Sequence, residues 1–139
     1  MKRLVQYEVS DRLPVRKWVP SHIQIRQYAE ASGDFNPIHL NDNYARLAGL
    51  EGVIAHGMLT MAQMAAMLTD WIGKEGEISK LNVRFEQVVR PGDKITCSGS
   101  IKVRSENTLV CDLEAYNDKE KRVMSGLAHI GIFQEGVLR

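Results

Sequence analysis

The sequence predicts an α+β domain in which one antiparallel sheet is covered by a single long apolar helix. Three observations point that way. From Ile78 to Phe133 the chain alternates apolar and polar residues with period two, in four runs separated by short polar segments. From Met58 to Ile72 apolar residues fall on nearly every helical face, interrupted only by Thr60, Gln63, Thr69 and Asp70. The length of 139 residues suits one domain over residues 1–139 with a core large enough to fold unaided, and no linker, repeat or low-complexity segment divides it.

The elements follow in chain order. A short extra strand is expected from Val15 to Val19. Ile23, Ile25, Gln27 and Tyr28 mix helical and extended periodicity, but Ala29-Glu30-Ala31 favours helix and Ser32-Gly33 stops it, so Asp34 falls just past a helix end. Pro37 fixes its own φ and moves Asn36 out of the α region, which makes the segment up to His39 a rigid turn. The helix from Met58 to Ile72 is shorter than the roughly 20 residues needed to cross a bilayer, so it belongs in a core, where its methionines fill irregular gaps. Four strands come next: Ile78 to Val89, Lys94 to Val103, Thr108 to Tyr116 and Arg122 to Phe133. Arg90-Pro91-Gly92-Asp93, Ser105-Glu106-Asn107 and Asn117 to Lys121 read as hairpin turns, which makes the four strands a meander.

Composition removes several classes of function. A net charge of +1 with interspersed signs gives no basic stripe for nucleic acid, and the cluster from Lys119 to Arg122 reads as a solvated turn. Cys97 and Cys111 sit on expected strands without metal-ligand spacing and read as reduced core thiols. Met1 to Ser10 holds no apolar run of signal-peptide length, so a cytoplasmic location with no membrane partner is the expectation.

Chemistry concentrates in two places. Asp34, Asn36 and His39 surround Pro37, and a carboxylate facing an imidazole across a rigid turn can hold and polarise one water at neutral pH. The plainer reading makes Asp34 a turn cap and His39 a half-buried polar residue. Gly57 opens the apolar helix, where unpaired N–H groups carry the positive end of the helix dipole, so its N–H is a candidate oxyanion donor. The plainer reading of His56-Gly57 is a tight turn into the helix. A metal site built from His39, Asp42 and His56 has no recognisable ligand spacing, and neither a metal nor a cofactor is expected.

The run Tyr28-x4-Gly33-Asp34-x-Asn36-Pro37-x-His39, followed by Ala55-His56-Gly57-Met58 opening an apolar helix, resembles the hydratase signature of the MaoC-like family. Asn82-Val83-Arg84-Phe85 resembles that family's first strand after the helix, and the resemblance spans essentially the whole chain. It implies the hot-dog fold, a curved antiparallel sheet wrapped around one long central α-helix. It also implies reversible hydration of trans-2-enoyl thioesters to (3R)-3-hydroxyacyl thioesters in fatty acid metabolism, on an acyl-CoA or acyl carrier protein substrate. Asp34 and His39 would hold the water and shuttle its proton, Asn36 would support them, and the Gly57 N–H would bind the thioester carbonyl. His56 would be a structural residue of the helix entrance; His22 and His129 match no motif. Where relatives carry a small hydroxyl residue in the helix, this chain has Ala62, Ala65 and Ala66, with Thr60 nearby, and the alanines leave room for an acyl chain. An open sheet edge predicts a homodimer, or a heterodimer with a non-catalytic hot-dog subunit. A hot-dog thioesterase and a non-catalytic acyl-thioester-binding subunit are the competing readings.

Overall fold

A computed structural model describes residues 2–134. After a short 3-10 turn at Leu4–Gln6 come β1 (Arg16–Trp18), α1 (His22–Ser32), α2 (Asp42–Leu47), α3 (Gly57–Ile72), β2 (Gly76–Phe85), β3 (Ile95–Arg104), β4 (Thr108–Tyr116) and β5 (Arg122–Ile132). The five strands form one antiparallel sheet in the order β1-β3-β4-β5-β2, and it curls around α3 as in the hot-dog fold.

Each helix boundary has a local cause. The Ser21 side chain accepts from the Gln24 N–H and starts α1, and Gly33, at φ 79°, ends it in the left-handed conformation that glycine adopts without a Cβ penalty. The Asn41 side chain caps α2 by accepting from the Tyr44 N–H. Six residues carry too little amphipathic period to show in sequence, and α2 was not expected. In α3, Leu59, Met64, Met67, Leu68 and Ile72 are buried against Ile101, Leu109, Leu113, Met124 and Ile130 of the sheet. Burying each such side chain contributes about 1.5–3 kcal/mol.

Two expectations are corrected. The four strands are not a simple meander: β3, β4 and β5 are consecutive neighbours, but β2 pairs with β5 at the far edge. The reason lies in residues 86–94, which leave the sheet after Phe85. Glu86 and Gln87 donate to the Val123 carbonyl at 2.9 and 3.3 Å, the Val89 carbonyl accepts from Ala55 at 2.7 Å, and Gly92 donates to Pro20 at 2.9 Å. Arg90 to Asp93 is a turn, closed by Asp93 N–H on the Arg90 carbonyl at 3.1 Å, but it sits inside a crossover and not a hairpin. The other two turns are hairpins joining β3 to β4 and β4 to β5.

The second correction concerns α3. Its apolar residues on every face suggested complete burial, yet Met58 is 55% exposed and Ala62 is also open to solvent in the single chain. The outer edge of β2 likewise pairs with no other strand among the described residues. No helix among the described residues is long and apolar enough to cross a membrane.

Candidate active site

The turn after α1 is held by its own side chains. Ser32 Oγ accepts from the Asp34 N–H, Asp34 Oδ1 from the Asn36 N–H, and Asn36 Oδ1 from the Ile38 N–H, each at 3.2 Å. Alternate residues thus pin the backbone two positions on, the local bonding that Ser, Asp and Asn favour in turns. Pro37 starts a 3-10 turn, Pro37–His39, with Asn36 as its cap. This leaves Asp34 Oδ2 free, 4.0 Å from His39 Nε2, with the Asp34 side chain 53% exposed and His39 only 9%.

His39 Nδ1 lies 2.8 Å from the Ile54 carbonyl oxygen. A carbonyl can only accept, so Nδ1 carries the proton and Nε2 presents its lone pair toward Asp34. Burial holds His39 below the ordinary histidine range and outweighs the Ile54 carbonyl, which pushes the other way; His56 adds to the lowering and Asp34 opposes it.

His56 is 2% exposed. Its Nε2 lies 3.0 Å from the Asp34 main-chain carbonyl. Its ring stacks on His39 with centroids 3.8 Å apart and planes inclined by 23°, and Tyr28 of α1 packs on it at 4.8 Å. From the entrance of α3, His56 thus contacts the main chain of Asp34 and the ring of His39.

Gly57 is the first residue of α3, and His56 supplies no side-chain cap. The Leu59 N–H takes the His56 carbonyl at 3.0 Å, and among the described residues no acceptor takes the Gly57 N–H. Gly57 lines a cavity of about 300 Å³ with Ile54, Thr60, Phe85, Val88 and Val89. Ala62, Ala65 and Ala66 do not line it. A larger groove of about 700 Å³, between Ser100, Asp112 and Arg84, includes none of the candidate residues.

The structure thus gathers Asp34, His39 and His56, whose donor atoms lie within 4.8 Å of one another, while Asn36 is spent on the turn. Asp42 is not among them, because its Oδ1 accepts from the Val53 N–H at 3.0 Å. Asp34, His39 and His56 are ligand types for zinc, but the stacked rings oppose it. The ring centroids lie 3.8 Å apart with planes inclined by 23°, and lone pairs lying in nearly parallel ring planes do not aim at one ion between them. Two contributors were not foreseen. The Ile54 carbonyl orients His39, and a main-chain acceptor leaves no trace in residue identity. Phe85 covers Gly57, and as the last apolar residue of an alternating strand it resembles any other.

The family model described as MaoC like domain matches residues 5–123. The fatty acid synthase subunit beta of Aspergillus oryzae (strain ATCC 42149 / RIB 40) is 33% identical over 107 residues, which is 74% of this chain but 5% of that protein. The 3-hydroxyacyl-thioester dehydratase X of Mycobacterium tuberculosis (strain ATCC 25618 / H37Rv) is 42% identical over 66 residues, 48% of this chain and 22% of that protein. The chain therefore spans only a small part of these curated relatives. Among solved structures, the unliganded R-hydratase PhaJ1 from Pseudomonas aeruginosa superposes with a TM-score of 0.85 at 24% identity, covering 96% of this chain and 91% of that one, and so shares the fold.

Proposed function

The chain belongs to the MaoC-like domain family, and from that premise we propose that it adds water reversibly to trans-2-enoyl thioesters, giving (3R)-3-hydroxyacyl thioesters in fatty acid metabolism. The substrate is an acyl-CoA or acyl carrier protein thioester, and a cytoplasmic setting fits it. The observation that carries this reading is the 4.0 Å separation of Asp34 Oδ2 and His39 Nε2. Both atoms are acceptors in the neutral-histidine state, and the gap is too long for a direct hydrogen bond but suits one water donating to each.

The chemistry follows. His39 Nε2 takes a proton from that water as its oxygen bonds to C3 of the enoyl thioester. The C2–C3 π electrons move toward the carbonyl, whose growing negative charge is met by the Gly57 N–H at the start of α3. The proton taken from water then goes to C2, and the pair returns to its starting state. Acid/base assistance of this kind contributes about 10²–10⁴-fold, and an oxyanion donor on the order of 3 kcal/mol. Asn36 holds the turn that aims Asp34. Dehydration is the same path reversed.

Residues 1–139 act as one domain in this reading. The open outer edge of β2 and the half-open face of α3 support assembly with a second hot-dog chain, either another copy or a non-catalytic partner. In such a pair, Asp34, Asn36 and His39 support the catalytic role for this chain. Hydration of crotonyl-CoA, followed by loss of the enoyl absorbance and chiral analysis of the product, tests the reading. Release of free thiol instead would make the chain a thioesterase.

A further inference from the structure

His56 has no step in the reaction above, yet it contacts both reacting residues, the main-chain carbonyl of Asp34 and the ring of His39. Because the Asp34 carbonyl only accepts, the 3.0 Å contact makes His56 Nε2 the donor. In the neutral ring Nδ1 then bears the lone pair, and Nδ1 is buried with no hydrogen-bond partner among the described residues. A buried acceptor left unpaired is costly, and so persists only where the rest of the ring's contacts hold it in place. Those contacts are specific. The donated bond falls on the main chain of Asp34, and the ring face lies 3.8 Å from His39 at 23°. Tyr28 closes the other side, 4.8 Å away and tilted by 59°.

We propose that His56 is a positioning residue for the acid/base pair: its Nε2–H anchors the main chain of Asp34, and its ring face fixes the plane of His39, so that Oδ2 and Nε2 stay one water apart. The proposal rests on the reading of Asp34 and His39 given above. It has an electrostatic side. The ionisable groups facing the two imidazoles are each other, Asp34 and Tyr28, and a positive charge on one imidazole disfavours a positive charge on the ring stacked 3.8 Å from it, since like charges in a buried site repel. His56 thereby favours the base form of His39. A ring that merely filled the helix entrance would do neither.

Two variants of the whole chain separate the roles. His56→Gln keeps an N–H at about the reach of Nε2 but removes the ring; His56→Phe keeps a ring face but removes the donor. For His56→Phe we expect kcat to fall on the order of 10²-fold, the scale of a misplacement near 1 Å, with KM little changed. His56→Gln restores part of that loss, and the acidic limb of its kcat/KM profile moves to higher pH. Wild-type kcat and pH profile in both variants, or a loss confined to KM, overturns the proposal. A second readout needs no turnover: NMR titration of the imidazole C2–H signals in wild type and His56→Gln, with His39 assigned by its absence in His39→Gln. The His39 midpoint should rise in His56→Gln, and an unmoved midpoint overturns the proposal even if the wild type hydrates enoyl thioesters. A risen midpoint in a chain that hydrates none keeps the coupling and overturns the catalytic reading beneath it.

Discussion

The ring of Phe85 lies against Gly57 so closely that a β-carbon at Gly57 would come within 3.2 Å of ring atoms Cε2 and Cζ. The last residue of β2 thus packs on the entrance of α3, and only glycine fits beneath it without displacing the ring. Phe85 is 48% exposed and free to yield, so Gly57→Ala should fold with a Tm close to wild type. It should still lose on the order of 10²-fold in kcat/KM, because the thioester carbonyl is pushed off line. Adding Phe85→Ala should recover part of that loss in a double-mutant cycle. Strict additivity of the two substitutions would show that the contact plays no part.

The pH dependence follows from His39. Its proton affinity is lowered chiefly by burial, so the base form persists below the ordinary histidine value of about 6.5. The acidic limb of kcat/KM should therefore fall below about pH 6.5 and be absent from the residual rate of His39→Gln. Stability has the same sign. The unfolded chain binds the proton first as pH falls, so this group's contribution is intact above the unfolded value and is lost as pH drops through the folded one. Thermal melts from pH 8 to pH 5 check it: Tm should decline more steeply in wild type than in His39→Gln.

The two cysteines should be inert. Burial pushes Cys97 up to about 11 and Cys111 up to about 12, and no disulfide joins them. The thiolate is the reactive form, so a thiol-titrating disulfide reagent at pH 8 should find neither group in the native protein and both in denaturant. Rapid native labelling would contradict the packing of β3 against β4.

Sedimentation should give about twice the 15.7 kDa chain mass, because β2 is a ten-residue edge and α3 leaves Met58 open. A fully active, stable monomer would remove the second chain from the account.

Much of this was legible in the sequence. Period-two alternation marked β3, β4 and β5, and the apolar run with glycine at each end marked α3. The Asp34 to His39 turn was legible for a stronger reason: Ser32, Asp34, Asn36 and Pro37 each act within two residues of themselves. What did not show was long-range. Alternation says that β2 is a strand but not that it lies beside β5, a choice made by Val89 and Gly92 bonding to Ala55 and Pro20. The His56 to Asp34 contact spans 22 residues and uses a carbonyl, which every residue has.

The most direct test of the central claim is the rate of crotonyl-CoA hydration by the purified chain beside Asp34→Asn and His39→Gln, with the product's configuration determined. The account predicts a (3R)-3-hydroxyacyl thioester from the wild type and a loss of about 10²–10⁴-fold in each variant, with both variants folded. Wild-type rates in either variant, or a (3S) product, would contradict it.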